Sequence, residues 1–209
     1  IQTLEKLNNK RRKYGEDIQK DIEHQLINEP ESNGIVCSGE FWHMGIIGIN
    51  AARLVGKYNK PAIVIGYTDS IARGSARSVP GINIYNVINK CKSHLDHFGG
   101  HSQAAGFSLK PSNITAFKKA FIEQCESMIK PLDLIPKLII DRPLELSKVT
   151  INFINELAAL EPFGEGNPKP VFMTKATLID AKKVGKTQTH LKCRFEQNNF
   201  IIDAIGFSL

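Results

Sequence analysis

No stretch of this chain approaches the roughly 20 consecutive apolar residues that a membrane-spanning helix needs, so helical membrane insertion drops out. The sequence holds only four cysteines, Cys37, Cys91, Cys125 and Cys193, and none stands in a Cys-x-x-Cys pair. That spacing argues against a zinc ribbon and a disulfide framework, and suits a reducing, cytoplasmic setting. Signal-peptide patterning is missing from Ile1-Gln2-Thr3-Leu4-Glu5-Lys6, and so is an initiator methionine. We therefore expect a piece of a longer chain. No internal repeat is present, and 209 residues suffice for one large domain or two small ones with a buried core.

What is present is an ordinary globular composition, 42% hydrophobic and 23% charged. The net charge of +6 points toward an anionic partner. Its distribution is uneven. Lys175, Lys182, Lys183, Lys186, Lys192 and Arg194 face the single acid Asp180 within twenty positions. A solvated strand face explains such a run, and nucleic-acid backbone binding explains it equally well.

The chain opens with an amphipathic helix over residues 1 to about 28, from the helical spacing of Leu4, Leu7, Tyr14, Ile18, Ile22 and Leu26. Lys10-Arg11-Arg12-Lys13 reads as its solvated face, with phosphate tracking as the alternative. Alternation follows: a strand at Ile35–Ser38, a helix from Met44 to Tyr58, and a strand at Pro61–Ile65. Then come an Arg73–Ser78 loop, a helix from Ile84 to Leu95, a strand at Ala104–Leu109 and a helix at Ile114–Ile129. Strands separated by helices predict an α/β layered domain. Pro131–Pro136 reads as a linker. Beyond it we expect a strand at Leu138–Ile140, a helix at Val149–Leu160, and short strands at Val171–Leu178, Leu191–Phe195 and Ile201–Phe207. These describe a small, mostly β module of the oligonucleotide-binding barrel type. The expected divisions are a helix at 1–30, an α/β domain at 31–130 and the β module at 131–209.

Two segments carry the chemistry. Phe98-Gly99-Gly100-His101-Ser102-Gln103-Ala104-Ala105-Gly106 reads as a loop entering a buried strand. Its glycines let backbone approach a ligand where a side chain would collide. Arg73-Gly74-Ser75-Ala76-Arg77-Ser78 offers two guanidiniums and two hydroxyls suited to phosphate oxygens. Ser75 and Arg77 can grip one phosphate together, since both donate. His43 and Trp42 precede a helix N-terminus, a position that favours anions, although Trp42 is equally a core residue.

Several of these motifs, in order, resemble one family. Phe41-Trp42-His43-Met44-Gly45-Ile46-Ile47-Gly48-Ile49, Gly74-Ser75-Ala76-Arg77-Ser78 and Phe98-Gly99-Gly100-His101 with Ala104-Ala105-Gly106 resemble the DHHA1 domain of RecJ, the single-strand-specific exonuclease family of the DHH phosphoesterases. Leu160-Glu161-Pro162-Phe163-Gly164 with Gly166-Asn167-Pro168, then Gly185-Lys186 and His190-Leu191-Lys192, resemble that family's oligonucleotide-binding domain. The family usually carries glycine where Phe41 stands. The resemblance implies a connector helix, a DHHA1 domain and an oligonucleotide-binding domain from the C-terminal part of a 5′→3′ exonuclease of DNA repair and recombination.

The resemblance further implies that Ser75 and Arg77 lie where a 5′-terminal phosphate is held, with Gly74 and Arg73 beside them. His101 would donate to the scissile or a neighbouring phosphate, with Gly99 and Gly100 giving it room. Lys182, Lys183, Lys186 and Lys192 would line the barrel groove, with Phe172 or Phe195 against bases. The family's Mn2+ or Mg2+ sits in a DHH domain marked by an Asp-His-His triplet that this sequence lacks. No metal and no catalytic residue is expected here, and the chain alone is expected to be inactive. His94-Leu95-Asp96-His97 offers one carboxylate where hard cations want several, and is read as a polar helix terminus. Expected partners are single-stranded DNA, the DHH domain, and a single-strand-binding protein or helicase, with no membrane. Two rivals stay open: a stand-alone single-stranded nucleic-acid-binding module, and a phosphodiesterase of short oligonucleotides. The latter would have little use for the module after Pro131. An alanyl-tRNA synthetase relative also carries a DHHA1 domain, but the Leu160–Pro168 motif does not resemble it.

Overall fold

The computed structural model describes residues 2–207, in two compact units, Ile1–Pro136 and Lys137–Leu209. The first is built on a five-stranded mixed sheet. Strands β1 (Ile35–Glu40) and β2 (Ala62–Tyr67) run parallel, joined by helix α2 (Ile47–Tyr58), the long crossover that parallel pairing demands. Strands β3 (Ala72–Arg77), β4 (His97–Gly100) and β5 (Ala104–Leu109) complete the order β1-β2-β3-β5-β4, every further pairing antiparallel.

Strand alternation sends side chains to two different layers. Val36, Ile63, Ile65, Ala72, Ala76, Ala105, Phe107 and Leu109 face α3 (Ile84–Lys90) and α4 (Ile114–Met128), whose Val87, Ile88, Phe117 and Phe121 fill the larger core. On the other face Ile35, Cys37, Ala62 and Val64 meet α2 and the long α1 (Gln2–Leu26) through Ile18, Ile22, Ile47, Ala51 and Leu54. That second cluster takes no residue from β3, β4 or β5. Helix α2 still reaches β3, where its Gly48 lies against Arg77 and Ser75, so the open part of this face is β4, β5 and the Arg73 end of β3.

Helix α1 is seated by polar bonds as well as burial. Trp42 Nε1 donates to Asp21 Oδ2 at 3.1 Å, Gln25 brackets the Ser38 backbone, and buried Asn50 donates to the Gly15 carbonyl at 2.9 Å. Trp42 is 7% exposed, so it belongs to the core. The N-terminal half of the expected apolar stripe is not buried: Leu4 and Leu7 are exposed. Cys37, Cys91 and Cys125 are core residues too, and burial pushes the Cys37 thiol up to about 12 and the Cys91 thiol up to about 11.

In the second unit a short parallel pair, β6 (Arg142–Pro143) and β7 (Phe172–Met173), accompanies helix α5 (Ile151–Ala158). The Thr150 hydroxyl caps α5 by accepting from the Phe153 amide at 3.1 Å. An antiparallel meander follows: β8 (Thr177–Val184), β9 (His190–Gln197) and β10 (Phe200–Gly206). Asn198 and Asn199, both at positive φ, make the two-residue turn between β9 and β10, as a hairpin of that length requires.

Several sequence expectations shift. The segment read as an Arg73–Ser78 loop is strand β3 up to Arg77, and Phe98-Gly99-Gly100 lies in β4 rather than in a loop. Both runs are rich in glycine and small residues, which hides a strand from propensity. The helix expected to Leu95 stops at Lys90 and gives way to a 3-10 turn, Lys92–His94, so His97 begins a strand instead of ending a helix. Leu138–Ile140 forms no strand, and the expected strand at Val171–Leu178 divides into β7 and the start of a longer β8.

Phe41 adopts a left-handed backbone at φ 60°, and the residue is 73% exposed. A bulky residue pays for that conformation and its exposed ring recovers little. We expect Phe41→Gly to raise unfolding stability by about 1 kcal/mol, read from the urea midpoint at unchanged slope.

Candidate functional site

The open part of this sheet face, with the edge that α2 covers, holds most of the residues singled out from the sequence. Register sets them in rows across β3, β5 and β4. Arg77 pairs with Ala104; Ser75 pairs with Gly106, which pairs with Gly99; Arg73 pairs with Ser108, which pairs with His97. Alternation points all of these to the side opposite the Ala72, Ala76 and Phe107 core. The middle row is a floor without side-chain bulk. A methyl group at Gly99 would meet nothing within 4 Å, and one at Gly106 only the Gly74 carbonyl at 3.9 Å. Arg73, His97, Gly99, Gly106 and Ser108 line one open depression.

Arg77 and Ser75 are brought together. Arg77 Nη1 donates to Ser75 Oγ at 2.9 Å and to the Ala76 carbonyl at 2.8 Å. The Ser75 oxygen is used as an acceptor, so its own proton is left to donate outward. The fork rests against the first turn of α2, where a Cβ on Gly48 would lie 2.9 Å from Arg77 Nη2 and 3.0 Å from Ser75 Oγ. Gly48 thus gives the guanidinium its seat. Its two-sided contact was not legible from sequence, since Gly-Ile-Ile-Gly reads equally well as ordinary helix packing.

His101 follows Gly100 in the turn between β4 and β5. Its amide donates to the Ala104 carbonyl at 2.8 Å, and its Nδ1 accepts from the Gln103 amide at 3.3 Å. With Nδ1 occupied as an acceptor, the neutral ring carries its proton on Nε2. The same turn is pinned by Ser78 N to Gln103 O at 3.0 Å and Ile84 N to Ser102 O at 2.9 Å. His101 is thereby an exposed donor on a fixed backbone. His43, before α2, has the same arrangement, accepting from the Gly45 amide at Nδ1 and stacking on Tyr14.

The lysines of the second unit do not all converge. Lys182 pairs directly with Lys192 across β8 and β9, on one face with Arg194 and Asp203. Lys183 pairs with Leu191 on the opposite face, so Lys182 and Lys183 cannot line one surface of this sheet. Lys186 lies in the turn between β8 and β9. Asp203 holds both Lys192, at 3.2 Å, and Arg194, at 2.9 Å. Hydrogen bonds from Arg194 and then Lys192 keep its carboxyl below the usual range. Of the two aromatics expected against bases, Phe172 stacks edge-on with Phe153, and Phe195 is half-buried in β9. Among the described residues no group of three or more His, Cys, Asp or Glu side chains is placed to hold a metal ion, and no helix is long and apolar enough to cross a membrane.

Residues 31–127 match the DHHA1 domain family, and residues 140–209 match the family described as RecJ OB domain. The single-stranded-DNA-specific exonuclease RecJ of Bacillus subtilis is 35% identical over 181 residues, covering 85% of this chain and 23% of that protein. The crystal structure of RecJ from Thermus thermophilus in complex with Mn2+ superposes with a TM-score of 0.80 at 27% identity, over 97% of this chain and 29% of that one. A second structure of the Thermus protein, in complex with Mg2+, matches with the same TM-score at 23% identity, over 97% of this chain and 36% of that one. The chain thus spans roughly a quarter to a third of the relatives it matches.

Proposed function

Because this chain belongs to the RecJ family, as its DHHA1 domain followed by its oligonucleotide-binding domain, we propose that it is the substrate-holding part of a 5′→3′ single-stranded-DNA exonuclease acting in DNA repair and recombination. The observation that carries this reading is the uncovered, glycine-floored sheet face bordered by Arg77–Ser75 and His101. A bare floor admits a sugar–phosphate backbone at close range, and the donors at its border match phosphate oxygens. Arg77 and Ser75 take the 5′-terminal phosphate, His101 a phosphate near the bond to be cut, and Arg73 a more distant one. In the second unit Lys182, Lys186 and Lys192 follow the strand, with Lys183 on the other side of the sheet.

Among the described residues no cluster of metal-ligating side chains is placed to hold an ion. We assign the Mn2+- or Mg2+-dependent step to a DHH domain outside it, the natural neighbour of this sheet face. What these residues contribute is placement: holding the strand in one register lowers the entropic part of the barrier. A cytoplasmic setting suits the thiol-bearing core, and single-strand-binding protein or helicase partners remain candidates of the whole enzyme.

The test is equilibrium binding of this chain to 5′-phosphorylated single-stranded DNA, its 5′-hydroxyl twin and a blunt duplex, over a salt series and without added metal. We expect preference for the single strand, loss of affinity without the 5′ phosphate, a salt slope of about −0.7 per phosphate contacted, and no cleavage. Equal binding to duplex and single strand would overturn the reading.

A further inference from the structure

Arg73, Ser108 and His97 form a row of their own at the other end of the glycine floor. Ser108 pairs with Arg73 on one side and with His97 on the other, so three polar side chains stand abreast on adjacent strands. Neighbouring strands lie about 5 Å apart, within reach of a single phosphate group. Arg73 and His97 are exposed, Ser108 is half-buried between them, and all three line the same depression as Gly99 and Gly106. Among the described residues no hydrogen bond or ion pair engages any of the three side chains, in contrast to Lys192 and Arg194, which share a carboxylate.

The spacing matters more than the cluster. Each two-residue step along a strand rises about 7 Å, comparable to one nucleotide of an extended DNA strand. The Arg73 row lies one such step beyond the Ser75–Gly106–Gly99 row and two beyond Arg77, so on β5 and β4 the step between is bare glycine. A strand whose end is held at Ser75 and Arg77 and which runs along the floor brings an internal phosphate over this row.

We infer that Arg73, Ser108 and His97 form a second phosphate subsite, which takes an internal phosphodiester of the strand whose 5′ phosphate lies at Ser75 and Arg77. This rests on the proposed function and adds a direction: the strand crosses the sheet face from Arg77 toward Arg73, with register counted by the β-strand. His97 is thereby a ligand of the strand, and not a helix terminus.

The experiment uses 5′-phosphorylated oligothymidine tetranucleotides in which one internal linkage at a time is a neutral methylphosphonate. Binding is measured to the unaltered chain and to its Arg73→Ala and His97→Ala variants. In the unaltered chain, neutralising the first or second internal linkage costs roughly ten-fold, the worth of a charge-assisted contact. In both variants that penalty shrinks to near unity, while the discrimination between 5′ phosphate and 5′ hydroxyl stays unchanged. If the variants keep the full penalty at every linkage, or lose 5′ discrimination instead, the subsite is overturned and the proposed function stands. If the unaltered chain ignores both the 5′ phosphate and every linkage, both readings fall together.

Discussion

Gly100→Ala lowers the unfolding stability of the first unit by about 3 kcal/mol, whereas its neighbour Gly99→Ala leaves stability unchanged or slightly higher. The two glycines are adjacent in sequence and opposite in role. Gly100 has φ 148°, and a Cβ there would lie 2.3 Å from the Ala104 carbonyl oxygen and 2.5 Å from Ala105 Cα. Both are backbone atoms of the paired strand, which cannot rotate away. The hairpin would have to open, releasing the turn that fixes His101. Gly99 meets nothing within 4 Å, and alanine in place of an unstrained glycine returns about 0.5–1 kcal/mol of chain entropy. Its methyl group would nevertheless stand on the floor of the sheet face. We expect Gly99→Ala to melt as the parent does or slightly later, and to bind single-stranded DNA more weakly. Urea titration and binding on the same samples give both readouts. A Gly99→Ala protein with full affinity would mean that the strand does not lie on this floor.

The same contrast shows what the sequence could and could not disclose. Both runs proposed to hold phosphate stand out in the sequence by their density of arginine, serine, glycine and histidine. The same composition hides their secondary structure. Arg73-Gly74-Ser75-Ala76-Arg77 has the period-2 alternation of a strand, polar on one face and small on the other, but lacks the β-branched and aromatic residues that usually mark one. Read as a loop, it gave no cause to ask which side chains share a face. Read as β3, it aligns Arg73 with Ser108 and His97, a relation that only pairing register reveals. The lysines of the second unit present the opposite case. Lys182 and Lys183 look like one patch in sequence and are separated by the pleat in space. The α/β layering was visible because Ile63, Val64 and Ile65 form a short apolar run buried on both faces. The docking of α1 was not, since it depends on Asp21, Gln25 and Asn50 meeting partners far along the chain.

Arg77 gives the other large effect, and two substitutions separate its charge from its shape. Arg77→Lys keeps the charge and loses the planar fork. We expect it to retain nearly all of the salt dependence while losing about ten-fold or more of the preference for a 5′ phosphate over a 5′ hydroxyl. Arg77→Ala loses the same preference and also flattens the salt slope by about 0.7. Gly48→Ala reaches the same site without touching a charge. Its new methyl group, 2.9 Å from Arg77 Nη2 and 3.0 Å from Ser75 Oγ, must displace the guanidinium, because the helix backbone carrying it cannot yield. In a helix, alanine is favoured over glycine by about 1 kcal/mol, so this variant should lose end preference with little or no loss of stability, and a gain if the fork moves freely. Loss of function with retained stability is the signature of a binding fork held in place by a bare helix turn. If Gly48→Ala and Arg77→Lys both keep full 5′-phosphate preference, the end of the strand is read elsewhere on the enzyme, and the bond between Arg77 and Ser75 serves only the sheet.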